Sequence, residues 1–200
     1  VYTVVTYNIE YLNTKGLESE NPETYTIESE TIVLEDLSKE GYNFDGWYNN
    51  AGNKVERIEK GSHGDLTLTA TWTTLTYTIT YLYDNAYGDV EEGKNLKTSY
   101  TVEDEFTFEE LVCKNEGFNF RGWFTEKNVG TGDKVLGVTE GTIGNITVYA
   151  QFGLEVYDII YNNVNGAINN NPTHYDAETE DFTIYPLSKE GYNFDGWFTN

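Results

Sequence analysis

The sequence predicts a mainly β fold, with α+β as the alternative, built from tandem small modules of antiparallel strands. Three observations predict it. One block recurs three times, the blocks around it alternate with period 2, and no stretch carries a convincing helical period. LSKEGYNFDGW occupies 37–47 and returns unchanged at 187–197, with a looser copy, NEGFNFRGW, at 115–123. Trp47, Trp123 and Trp197 are thus spaced by 76 and then 74 residues. Flanking blocks recur in the same order. The chain therefore divides into module 1 at 1–74, module 2 at 75–153 and a partial module 3 at 154–200 that lacks the closing block. The connections between modules are too short for flexible linkers, so neighbours are expected to touch or be held at restricted angles.

Each module opens with an alternating block: YTVVTY (2–7), YTITYL (77–82) and YDIIYN (157–162). Tyr77, Ile79 and Tyr81 share one face of theirs, as a half-buried strand requires. TYTIESETIVL (24–34) and SYTVEDEFTF (99–108) follow, each with two β-type runs around an acidic tripeptide. They read as strand, tight turn and strand, with Ser29 and Asp104 as turn residues. DLSKEG (36–41) is the best helical candidate, one or two turns at most, ending at Gly41.

In GYNFDGW (41–47) Tyr42 and Phe44 share a face, and Trp47 falls out of phase with them unless the strand bulges. Gly46 is the residue type that permits a bulge there. LTLTATW (66–72) and ITVYAQF (146–152) close the first two modules. Leu66, Leu68, Ala70 and Trp72 point one way in the first of them, and the threonines point the other.

Charge and composition exclude several functions. The 200 residues carry 12 basic and 34 acidic side chains, a net charge of −22 that repels nucleic acid and anionic membranes alike. Acidity belongs to every module: 5 basic against 13 acidic side chains in 1–74, 6 against 13 in 75–153 and 1 against 8 in 154–200. An aromatic content of 16% separates the chain from disordered acidic tails. No apolar run is long enough to insert in a membrane as a helix. The single Cys cannot form an intrachain disulfide. Met is absent even at position 1, so the chain is expected to be a piece of a longer array.

Chemistry-bearing patterns are sparse. Glu28 and Glu30, Glu91 and Glu92, Glu103 to Glu105, and Glu109 and Glu110 form acidic clusters in turns, where a solvated surface is expected. DNAYGD (84–89) is a weak echo of a calcium loop. His63 and His174 lack partners at zinc-ligand spacing, and Cys113 reads as a half-buried thiol. Asn145-Ile146-Thr147 fits a glycosylation triplet. Asp45 becomes Arg121 in the second copy, which argues against a shared catalytic acid.

No catalytic, cofactor-binding or metal-binding residue is predicted, and the expectation is that the chain is not an enzyme. The residues singled out are a repeated structural motif. In module 1 they are Gly41, Tyr42, Phe44, Gly46, Trp47 and Trp72. Module 2 contributes Gly117, Phe118, Phe120, Gly122, Trp123 and Phe152, and module 3 Gly191, Tyr192, Phe194, Gly196 and Trp197. The motif Trp is expected to plug a core; the alternative is an exposed aromatic platform for glycan or protein.

These residues resemble the Listeria–Bacteroides repeat, also called the internalin B-repeat. Lys39 to Tyr48 with Leu66 to Trp72, Glu116 to Phe124 with Ile146 to Phe152, and Lys189 to Phe198 carry the resemblance. Asn115 and Phe152 depart from its pattern, and its proline-rich approach to the motif survives only as Pro186. The resemblance implies small β-grasp-like units, strung in tandem in secreted or wall-attached bacterial surface proteins. Such arrays resemble stalks or spacers supporting adhesion, and the family offers no catalytic residues to carry over. The implied partners are adjacent modules of a longer chain and a host or surface protein or glycan, with no nucleic acid, no membrane insertion and no cofactor. The third module, without a closing strand, is expected to be loosely ordered, to borrow a strand or to pair between chains.

Overall fold

The computed structural model describes residues 1–199; residue 200, the last of the expected third module, lies outside them. The first repeat forms β1 (Thr6–Leu12), β2 (Thr24–Thr26), β3 (Ile32–Val33), β4 (Tyr42–Tyr48), β5 (Lys54–Val55), β6 (Arg57–Ile58) and β7 (Leu66–Thr74). The second forms β8 (Thr76–Leu82), β9 (Gly88–Val90), β10 (Ser99–Thr101), β11 (Phe106–Thr107), β12 (Leu111–Cys113), β13 (Phe118–Phe124), β14 (Lys134–Val135), β15 (Gly137–Val138) and β16 (Ile146–Leu154). Among the described residues the third contributes only β17 (Tyr157–Asp158) and β18 (His174–Tyr175). The chain is mainly β, and no helix occurs among the described residues. The helical turn expected at 36–41 does not form. The segment instead ends in a turn, where Tyr42 N donates to Lys39 O at 3.2 Å and Gly41 sits at φ 83°.

In the first repeat the sheet order is β2-β1-β7-β4-β5. Its hairpin-type pairs are antiparallel, but the central pair, β1 with β7, runs parallel with Ile9 opposite Leu66. The first and last strands thus meet in the middle, and the closing block becomes the central strand. Period-2 alternation sets its burial. Leu68 and Ala70 are fully buried, with Leu66 and Trp72 partly buried beside them. Ile9, Tyr25, Leu34, Trp47 and Ile58 complete the core. The opening strand begins at Thr6, four residues later than the alternation of 2–7 suggests, and Val1 and Tyr2 are exposed.

The acidic turns form at the expected residues. Thr26 N donates to Ser29 Oγ at 3.0 Å, and Thr101 N to Asp104 Oδ2 at 2.7 Å. The strands on either side do not pair with each other: β2 joins β1, while β3 joins β6. The segment is a corner that feeds two sheets.

By its contacts the chain makes two compact units, Val1–Ile79 with Ser99–Phe106 and Val138–Ile146, and Thr80–Thr98 with Thr107–Gly137 and Thr147–Asn200. Within the first unit, β10 pairs with β8 as β2 does with β1. Within the second, β13 pairs with β16 and β14 as β4 does with β7 and β5. The second repeat adds a β9–β12 ladder. In the third repeat β17 pairs with β18 and Ile168 bridges Ser188, but no strand forms over 191–199 among the described residues.

Candidate functional site

The repeated Trp motif and the contacts it makes are the most specific feature of the chain. β4 bulges between Phe44 and Gly46, so Phe44 faces Trp72 and Trp47 faces Ala70 on β7. β13 bulges identically between Phe120 and Gly122. Gly46 and Gly122 sit at φ 126° and 129°, and the aliphatic stems of Lys54 and Lys134 lie where a Cβ would be. The bulge brings the indole to the inner face, where Trp47 is 1% and Trp123 2% exposed. Each indole Nε1–H finds a backbone acceptor: Glu35 O at 3.0 Å, Glu109 O at 2.8 Å and, in the third repeat, Tyr185 O at 3.0 Å from Trp197. Edge-to-face rings surround them, with Phe44 at 5.5 Å from Trp47, Phe120 at 5.5 Å from Trp123 and Phe194 at 5.2 Å from Trp197. The motif Trp of the first two repeats is therefore core, and an exposed Trp platform is not present there.

A second feature of this network was not read from the sequence. Buried Asn21 donates to Glu35 O at 3.0 Å and accepts from Glu35 N, clamping the same backbone that anchors Trp47. Asn171 does the same to Tyr185, at 2.9 and 2.6 Å. The signal was visible: Asn-Pro followed three residues later by Tyr recurs at 21–25 and 171–175. The second repeat lacks this Asn-Pro pair, and there a β9–β12 ladder pairs Leu111 with Val90 just after the anchoring Glu109.

The motif glycines Gly41 and Gly117 sit where one repeat meets the next. The Gly41 carbonyl accepts from Leu75 N at 2.8 Å, and the Gly117 carbonyl from Glu155 N at 2.7 Å. A Cβ on Gly41 would stand 2.7 Å from Val102 Cβ, and one on Gly117 would press on Ala177 Cβ; Gly191 faces open space. At the first of these joints a polar clasp closes over the glycine. Tyr42 Oη donates to Glu103 Oε1 at 2.9 Å, and Lys15 Nζ stands 3.4 Å from the same oxygen and 4.3 Å above the Tyr42 ring. Glu103 holds the Tyr42 phenol above its ordinary range, chiefly through that hydrogen bond. Phe118 replaces Tyr42 in the second repeat, so this hydrogen bond has no counterpart there.

The departures in the motif are packing exchanges. Asp45 accepts from Thr73 Oγ1 at 2.6 Å; in the second repeat Arg121 Nη2 donates to Leu154 O at 2.9 Å and lies against Gly153, where Thr73 stood. Trp72 donates to Asn13 O at 2.9 Å, a bond that Phe152 cannot make. Tyr42, Phe118 and Phe152 are half-buried, whereas Tyr192 is exposed and Phe194 and Gly196 are half-buried.

Other chemical candidates stay apart. His63 and His174 are exposed in separate repeats, and Cys113 is half-buried with its thiol 3.6 Å from Asn115 O. Asn145, the acceptor of the glycosylation triplet, takes a hydrogen bond from Thr78 N at 2.9 Å, the place that Asp65 fills for Asn8 N at 2.7 Å. Among the described residues no group of three His, Cys, Asp or Glu could hold a metal ion, and no helix is long and apolar enough to cross a membrane.

The sequence model of the Listeria-Bacteroides repeat domain matches residues 7–71, 77–151 and 157–200. The chain belongs to that family. Among curated proteins, a putative Gly-rich membrane protein of Evansella cellulosilytica is 27% identical over 171 residues, covering 80% of this chain and 18% of that protein. Internalin H of Listeria monocytogenes is 35% identical over 133 residues, covering 64% of this chain and 22% of its own length. The chain thus spans about a fifth of the length of these relatives. No solved structure matches it.

Proposed function

We propose that this chain is a non-catalytic repeat region of a larger bacterial surface or secreted protein, acting as a spacer that holds an adhesive part away from the cell. The observation that carries the reading is the joint: the first two repeats each present a motif glycine whose free space is filled by the following repeat, Gly41 by Val102 and Gly117 by Ala177. Such contacts limit the angles between neighbours, and a −22 charge keeps neighbouring copies apart. Each module is taken as β-grasp-like, a reading supported by the order β2-β1-β7-β4-β5 with its parallel central pair. Adjacent modules are the first partners. The relative named as a membrane protein and the one named an internalin agree with a surface setting. Binding of glycan or host protein through the motif Trp faces loses Trp47 and Trp123 to the core.

The test is reach. The chain is placed in one, two or three tandem copies between a wall anchor and an epitope tag on a bacterial surface. Antibody access to the tag should rise with copy number, as a spacer requires. Access independent of copy number would contradict it.

A further inference from the structure

The second repeat contains a groove lined in part by residues that differ from their counterparts in the first repeat. It measures roughly 1040 Å³ and is lined by Tyr83, Tyr87, Tyr149 and Phe152, with Asp84 and Lys127 among its polar residues. Three differences from the first repeat build it. Tyr149 stands at the register of Thr69, and Phe152 at that of Trp72. The loop after the motif strand lengthens from 49–53 to 125–133, bringing Lys127 and Val129 to the groove. The short turn at Asp84, where Ala86 N donates to Asp84 Oδ1 at 2.8 Å and Tyr87 N to Asp84 O at 3.0 Å, presents Tyr87, which is 46% exposed.

The longer loop is fixed from beneath. Gln151, 2% exposed, occupies the register of Thr71 at the bulge, and its Nε2, with two hydrogens, lies among three carbonyl oxygens, Glu126 O at 2.9 Å, Asn128 O at 2.7 Å and Thr131 O at 2.9 Å; its Oε1 accepts from Gly130 N at 2.9 Å. A buried amide with every bond satisfied makes one loop position strongly preferred. The loop is therefore pre-organised, as binding walls are.

We infer that this groove binds an uncharged oligosaccharide. Anionic glycans meet the acidic surface of the module. A cationic peptide is drawn to that surface but meets the Lys127 ammonium on the groove wall, so hexalysine stands in the test as the competing occupant. A neutral sugar has hydroxyls that both donate and accept, which suits a rim holding an ammonium, a carboxylate, the Asn85 amide and phenol groups together. Its apolar ring faces suit the Tyr and Phe floor.

The experiment is a titration of the full chain, followed by amide NMR, with cellohexaose, maltohexaose and N-acetylchitohexaose, and with hexalysine as the charged comparison. At least one sugar should shift amides in 82–87, 127–131 and 149–152 and leave the first repeat unmoved. Tyr87→Ala should weaken that binding about tenfold or more, and Gln151→Thr should weaken it by freeing the loop, with the amide spectrum of the first repeat unchanged in both. The inference is overturned if no sugar shifts those amides at tens of millimolar, if the shifts survive Tyr87→Ala, or if only hexalysine produces them.

Discussion

The first and third repeats contain the same eleven-residue string, yet its Trp ends in two environments. Trp47 is 1% exposed, whereas Trp197 is only half-buried. The local anchors are the same in both. Each indole donates to a backbone oxygen at 3.0 Å, each has a Tyr ring at 4.9 Å, and each anchoring carbonyl is clamped by a buried Asn. What differs is β7, which places Leu68 and Ala70 against Trp47 and pairs with the whole length of β4. Anchoring comes from residues local to the motif, and burial comes from the strand that follows it.

Truncating the indole breaks this comparison most directly. Trp47→Ala and Trp123→Ala should each cost about 3–5 kcal/mol, enough to unfold a small module, while Trp197→Ala should cost less than half of that; urea unfolding followed by circular dichroism reads all three. Supplying the missing strand sharpens it. A copy of residues 51–75 appended after Asn200 should move the fluorescence of Trp197 to shorter wavelength, and emission unchanged by the addition would count against the role given to β7. Asn21→Ala leaves the Glu35 N–H without its partner and should cost about 1–3 kcal/mol; Asn171→Ala should cost less, because the segment it holds carries no ladder. Gly41→Ala combines a residue at φ 83° with a Cβ pressed on Val102, whereas Gly191→Ala at φ 80° meets open space. The strain of positive φ, about 1 kcal/mol, is common to both, so thermal melts should show Gly41→Ala as the worse of the two. Glu103→Gln should give the smallest change, as expected of a solvated pair. The clasp has a pH signature. The folded pKa of Tyr42 lies above the ordinary tyrosine value of 10.0, so its contribution is intact below that value and is lost as pH rises through the folded pKa. Alkaline difference absorbance on wild type and Glu103→Gln should show the tyrosine titrating earlier in the variant.

Much of this was legible in the residues. Alternation in LTLTATW identified the inward face of β7, and a Trp out of phase with Tyr42 and Phe44 required the bulge that Gly46 provides. Ser29 and Asp104 close the turns that their side chains suggested. The parallel β1–β7 pair was not legible, because alternation fixes which way side chains point and not which strand lies alongside. Nor was the clasp, whose Lys15 and Glu103 are 88 residues apart and lack the apolar periodicity that local reading uses. The 36–41 segment carried a helix-ending glycine, and Gly41 does take a positive φ, but it closes a single turn from Lys39 O to Tyr42 N instead of a helix.

Hydrogen exchange at the three indole Nε1–H groups of the intact chain, followed by NMR, tests most directly whether the motif Trp is a core plug completed by its closing strand. The account predicts slow exchange at Trp47 and Trp123 and fast exchange at Trp197, although all three are hydrogen-bonded to backbone oxygen. Equal protection at all three, or fast exchange at Trp47 and Trp123, would contradict it.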